Sequence, residues 1–140
     1  MWNATVLSLF PEMFPGTLDF SIAGKALKNG IWSLKKINIR DFSNDKNGKV
    51  DDIPFGGGHG MVIKPEVLNN ALKSVADDKG PRIYLSPRGR KFDQSFAKDL
   101  SKEKGVVFIC GRYEGVDERF LNHNEIQEVS VGDYVLSGGE

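Results

Sequence analysis

Cysteine, histidine and long apolar runs are scarce in this sequence. A single cysteine, Cys110, cannot close an internal disulfide, and two histidines, His59 and His123, give no recognised zinc spacing. Disulfides and structural zinc are thereby excluded as the basis of the fold. No apolar stretch approaches the roughly 18 residues that a membrane span requires, and the opening MWNATVLSLFPEMF lacks the basic segment of a signal peptide. A cytoplasmic protein with no membrane contact is the expectation. An excess of charge is missing too, because nineteen Lys and Arg balance nineteen Asp and Glu. Any contact with a polyanion must therefore be local.

The 140 residues suffice for one compact domain with one core. Residues 5–10 are apolar and stop at Pro11, as a buried strand does. From Thr17, the residues Leu18, Ile22, Ala26 and Leu27 recur at helical spacing, and Gly30 supplies a stop. Residues 31–39 have strand composition. Residues 40–60 then dissolve into a long polar loop, of the kind that is usually functional or disordered. A second helix starts at Pro65, with Val67, Leu68, Ala71, Leu72 and Val75 on one face, and runs to about Asp77.

Three later segments share one plan, an apolar strand breaking into a polar, Gly-containing loop. They are residues 82–85 into SPRGRK, 106–109 into CGRYEGVDER, and 129–131 into GDYVLSGGE, with a helix over 93–101 linking the first two. Alternating strands and helices predict an α/β fold, a mostly parallel sheet with helices on both faces. Ligands of such sheets bind outside the carboxyl ends of the strands, so the three loops should converge on one crevice.

Phosphate-binding signatures do not explain these loops. FGGGHGM (residues 55–61) lacks the Lys-Ser/Thr of a P-loop and follows a loop rather than a strand, leaving a cradle or a plain surface turn as its readings. Cys110 reads better as a small residue closing a buried strand than as a nucleophile. Glu114, Asp117 and Glu118 bracket Arg112 and Arg119 in a charge-dense turn that could be simply solvated and self-paired.

Five ordered segments carry a resemblance over nearly the whole chain: SLFPEMF (8–14), FGGGHGM (55–61), YLSPRGRK (84–91), CGRYEGVDER (110–119) and VGDYVLSGGE (131–140). Together they resemble the bacterial tRNA (guanine(37)-N1)-methyltransferases, which belong to the knotted α/β (SPOUT) methyltransferases. The resemblance implies a trefoil knot that no periodicity would have predicted, a homodimer with shared active sites, S-adenosyl-L-methionine as methyl donor and tRNA as substrate. It places the donor against Tyr84, Leu85, Ser86, Pro87, Gly111, Tyr113, Gly115, the run Val131, Gly132, Asp133, Tyr134, Val135 and Leu136, and then Gly138 and Gly139. Glycines there would let backbone groups approach adenine and ribose, with Tyr and Leu side chains covering the adenine faces.

The same resemblance puts Glu114 beside the reacting methyl group, links it to magnesium-dependent catalysis, and sets the aspartate general base beyond this sequence. The chemistry demands removal of the guanine N1 proton and stabilisation of charge at O6, which a carboxylate and a cation can meet. Asp51, Asp52, Gly57, Gly58, Arg88 and Arg90 would face tRNA, with Lys49 and Lys91 as further phosphate contacts. His59 stands where the family often has proline or a small residue. The chain is expected to be an N-terminal, donor-binding portion lacking a C-terminal tRNA-gripping domain, competent for donor binding at most. The alternatives are a non-catalytic RNA-binding or dimerisation module and, lower, a dinucleotide-dependent oxidoreductase without a fingerprint.

Overall fold

The computed structural model describes residues 1–53, 57, 60–112 and 115–140. Its elements in chain order are β1 (Trp2–Ser8), α1 (Ser21–Lys28), β2 (Trp32–Asn38), β3 (Asp51–Asp52), β4 (Val62–Ile63), α2 (Pro65–Lys73), β5 (Arg82–Lys91), α3 (Gln94–Ser101), β6 (Gly105–Ile109), α4 (Glu118–His123) and β7 (Gln127–Ser130). The main sheet has the order β2-β1-β6-β5-β7, and all its pairings are parallel. Because the strands run the same way, the ends of β1, β5, β6 and β7 lie along one rim. The predicted sheet and its crevice side are therefore both present.

Side-chain alternation divides the core between the two faces. Val107 and Ile109 of β6, with Leu7 and Tyr84, pack against Val67, Leu68, Ala71 and Leu72 of α2 and Phe120 and Leu121 of α4. Val106, one residue out of phase, joins Ile83 and Val129 against Phe96 and Leu100 of α3, with Phe108 packed beside them. Helices thus cover both faces, and the α2 and α4 side holds the larger cluster. The caps follow local chemistry: Asp93 accepts from the Phe96 amide at 2.8 Å, Asp117 accepts from the Arg119 amide at 2.9 Å, and Pro65 opens α2. Gly30, at φ +70°, ends α1 as its position predicts.

Several expectations need correction. The first strand is Trp2–Ser8 rather than 5–10, because Asn3 to Leu7 pair with β6 whereas Leu9 and Phe10 lie past the sheet. The second helix ends at Lys73, and turns carry the chain through Val75. The third segment is strand over Gln127–Ser130, one residue short of Val131. The expected inward face of the first helix is largely open: Leu18 precedes α1 in a 3-10 turn and is 52% exposed, Ile22 is 83% exposed, and Gly24 alone of the helix is buried. That helix touches β2 through the indole of Trp32, which donates to the Ala23 carbonyl. The loop over 40–60 contains a 3-10 turn at Ile39–Phe42 and the short strand β3, antiparallel to β4.

The largest departure is β5. It does not break at Leu85 but continues to Lys91 across an irregularity, so that Leu85 and Arg90 are both register partners of Val129. Residues 86–89 bulge out between the two pairings, so that one residue of β7 faces two of β5. Gly89 lets this bulge lie against β7, because a Cβ there would fall inside van der Waals contact of the Val129 amide. Gly89→Ala should therefore destabilise the chain by about 1–3 kcal/mol in urea unfolding. Lys98→Ala on the exposed side of α3 should stay within about 0.5 kcal/mol. Equal effects would show that the bulge is not tightly packed against β7.

Candidate functional site

The rim of the sheet is a cavity of about 560 Å³. One wall is residues 84–88 at the end of β5, the floor is Gly111, Arg112, Gly115 and Val116 after β6, and the other wall is residues 129–132 and 134–140. These are the three loops that the sequence pattern brings to one crevice. The volume lies in the range of roughly 300–1,000 Å³ typical of small-molecule sites. A second cavity, about 530 Å³, lies on the α3 face between Trp2, Phe92, Leu100 and Phe108. Its lining is almost wholly apolar and lacks the convergent polar groups that orient a ligand.

Of the residues expected at the donor, Tyr84, Leu85, Ser86, Pro87, Gly111, Gly115, Val131, Gly132, Tyr134, Val135, Leu136, Gly138 and Gly139 line this cavity. Asp133 does not line it and is exposed, because the turn after β7 points its side away from the cavity wall. Tyr113 and Glu114 lie outside the described residues, as do Gly58 and His59. Arg88 joins the wall and lies 3.9 Å from Glu128. Arg90 sits elsewhere, its guanidinium 4.4 Å above the Phe96 ring, while Asp52, Gly57, Lys49 and Lys91 are exposed and Asp51 is half-buried. The structure thus gathers most of the residues expected at a donor and leaves the described ones expected to contact tRNA scattered.

The glycines answer first to the protein itself. A Cβ on Gly111 would run into the ring and hydroxyl of Tyr84, and one on Gly115 would come within 2.9 Å of that hydroxyl. Tyr84 is buried, so its ring is packed against the floor rather than held open for a stacking partner. Burial, with Glu128 nearby, pushes its phenol up to about 12. Tyr84 thus lines the cavity and also supports its floor. Leu85, Val131, Val135 and Leu136 remain as apolar wall, the last three exposed at 53%, 82% and 63%.

Beneath the walls lies an ion pair that the sequence reading did not assign. Glu140 accepts from the Arg112 Nε at 3.0 Å and from the Ser8 hydroxyl at 2.6 Å, and its side chain is only 2% exposed. Ser8 in turn accepts from the Phe10 amide, and the Arg112 guanidinium lies 4.6 Å over the Phe10 ring. Arg112 and Glu140 lie 28 residues apart and Ser8 and Glu140 132 apart in sequence, separations that no local pattern can reveal. The charge-dense turn is partly self-paired, as its composition allows: Arg119 forks onto Asp117 at 3.1 and 2.8 Å, and these bonds hold the Asp117 carboxyl below its ordinary range. No group of three or more potential metal ligands occurs among the described residues.

The model of the family "tRNA (Guanine-1)-methyltransferase TrmD" matches residues 2–140. Curated proteins named tRNA (guanine-N(1)-)-methyltransferase are also similar. That of Bartonella tribocorum is 55% identical over 139 residues, covering 99% of this chain and 60% of the relative. That of Rhodospirillum rubrum is 53% identical over 138 residues, covering 99% and 58%, and that of Rickettsia akari 53% over 140 residues, covering 99% and 60%. The chain therefore spans about three-fifths of the length of these relatives.

Burial, with Glu140 close by, pushes the Cys110 thiol up to about 12. The thiol is thus protonated and enclosed at neutral pH, against a nucleophilic role. At pH 8 iodoacetamide should label native Cys110 at least about a hundredfold more slowly than the urea-unfolded chain; equal rates would mean that the strand end is open. Since Tyr84 and Cys110 are both raised, the stability they contribute is complete below their ordinary values of 10.0 and 9.0 and is lost as pH rises towards about 12. Melting temperature should accordingly fall between pH 9 and 12, and less steeply in Cys110→Ala, whose midpoint at pH 7 sets the baseline.

Proposed function

Because this chain belongs to the tRNA (guanine-1)-methyltransferase TrmD family, we propose that its rim cavity holds S-adenosyl-L-methionine and that the full-length protein methylates N1 of guanine 37 in tRNA. The observation that carries this reading is the convergence of three strand-end loops on one nucleoside-sized cavity. When bound, the donor supplies an electrophilic methyl group on a sulfonium centre. Leu85, Val131 and Leu136 present apolar surface to the flat faces of a purine, and backbone groups of the walls can read its polar edge. Ser86, Gly132 and Gly138 bring main chain to the wall without bulky side chains.

The rest of the machinery enters this reading by resemblance. Glu114 acts at the reacting methyl group and supports magnesium-dependent catalysis, and the aspartate general base and the tRNA-gripping domain belong to the part of the full-length protein that this chain does not span. Asp51, Asp52, Gly57, Gly58, Arg88 and Arg90 take the tRNA side, in which Arg88 has support from its place at the cavity wall. A homodimer would cover the apolar side chains of Leu18, Phe20 and Ile22, which are 52%, 71% and 83% exposed. The trefoil knot enters this reading by resemblance to the family. The protein works in the cytoplasm, where its tRNA substrate is found.

Calorimetric titration of the full-length protein with S-adenosylhomocysteine, with NADH as control, tests the cavity assignment. Saturable binding of the first alone is expected, and Leu136→Asp, which puts a carboxylate on the apolar wall, should weaken it by at least about tenfold. Binding of NADH instead, or of neither, would sink the assignment. Gly111→Val is a poor probe, because its side chain would displace Tyr84 whether or not a ligand is near.

A further inference from the structure

We infer that Glu140, Arg112 and Ser8 form a latch that positions the 131–139 loop as the closing wall of the cavity, so that they are positioning residues for donor binding. This rests on the reading of the cavity as a donor site. The loop leaves β7 at Ser130 and runs along the cavity with Val131, Tyr134, Val135 and Leu136 exposed. Within this run the side chains supply little burial to hold it. Its return to the body of the domain is made at two points. The Gly139 amide donates to the Gly111 carbonyl at 3.1 Å, and the Glu140 carboxylate takes one bond from the floor, through Arg112, and one from β1, through Ser8.

The geometry around the carboxylate leaves little alternative. Gly138 has no room for a side chain, because a Cβ would overlap both Arg112 and Glu140. A Cβ on Gly139 would likewise come within 3.0 Å of the Cys110 Cα. The two glycines thus let the wall come down onto the floor, and the carboxylate fixes it there. Arg112 is held in place from its other side by the Phe10 ring and has its terminal nitrogen 3.6 Å from the Met13 sulfur. A carboxylate removed from water needs its full set of partners, so the pair is made only in one loop position. The position it selects is the one in which residues 131–136 face residues 84–88 across the cavity.

The test uses full-length protein carrying Glu140→Gln, Arg112→Met, Arg112→Lys or Ser8→Ala, with two readouts. In the absence of ligand, hydrogen exchange of amides 132–138 should quicken in Glu140→Gln and Arg112→Met while amides of β6 stay protected; unchanged exchange in the loop would overturn the latch. In steady-state assays the KM for S-adenosylmethionine should rise at least about tenfold, the loss that one charge-assisted contact can produce, with the KM for tRNA little changed. Arg112→Lys should recover part of the loss because it keeps a cation beside Glu140. Parallel loss of both KM values and of protection in β6 would mean general destabilisation and would overturn the proposal. If Glu140→Gln or Arg112→Met fails to fold, Ser8→Ala, which removes one bond and no charge, decides by the same two readouts. Failure of the unmodified protein to bind S-adenosylhomocysteine would overturn the donor reading, while the exchange data would still report on the latch.

Discussion

The pairing of Val129 with two parts of the same strand is the constraint on which the rest of the rim depends. Leu85 meets Val129, and Arg90 meets it again beyond the bulge. Residues 86–89 are thereby held at both ends against β7, and residues 86–88 belong to one wall of the cavity. The opposite wall begins where β7 ends, so both walls are referred to a single short strand. A ligand between them would be held by main chain whose spacing is set by sheet hydrogen bonds rather than by loop preferences.

That constraint also explains which parts of the fold could be read from the sequence. Strand residues such as Val106 to Ile109 announce themselves by composition, α3 by Phe96 and Leu100 at helical spacing, and the crevice by three glycine-bearing strand ends. The bulge at Gly89 could not be read, because SPRGRK has the composition of a turn and its strand character arises only from pairing with β7, Arg90 and Val129 being 39 residues apart. The helix Glu118–His123 was hidden for a different reason. Its apolar pair, Phe120 and Leu121, is too short to show a period, and its helix is fixed by the Asp117 cap and by burial under α2's partners in the core. Helix α1 shows the converse, a clear apolar period whose face finds little in this chain to pack against.

The rim loops were readable as loops, and the resemblance supplied their expected roles, yet neither could show how the glycines are used. Seen in the fold, Gly111 and Gly115 admit Tyr84, and Gly138 and Gly139 admit the descent of the wall onto Arg112 and Cys110. A motif rich in glycine is often taken as the imprint of a ligand on the backbone. Here the protein's own side chains already occupy the space that those missing Cβ atoms leave. The ligand's shape is therefore imposed at one remove, through walls that the glycines allow to approach.

This arrangement has an energetic logic. A loop that closes over a ligand and is ordered only by it sacrifices affinity to conformational entropy, whereas a loop already ordered binds without that loss. Residues 131–136 expose apolar side chains that water would rather see buried, so left to themselves they would collapse onto the nearest apolar surface, which is the opposite wall. The ion pair at Glu140 opposes collapse as well as opening, because a buried carboxylate bonded at 2.6 and 3.0 Å tolerates little displacement in either direction. The same contact that keeps the wall down thus keeps the cavity from filling itself, and apolar wall residues can be retained for a ligand without being lost to the core.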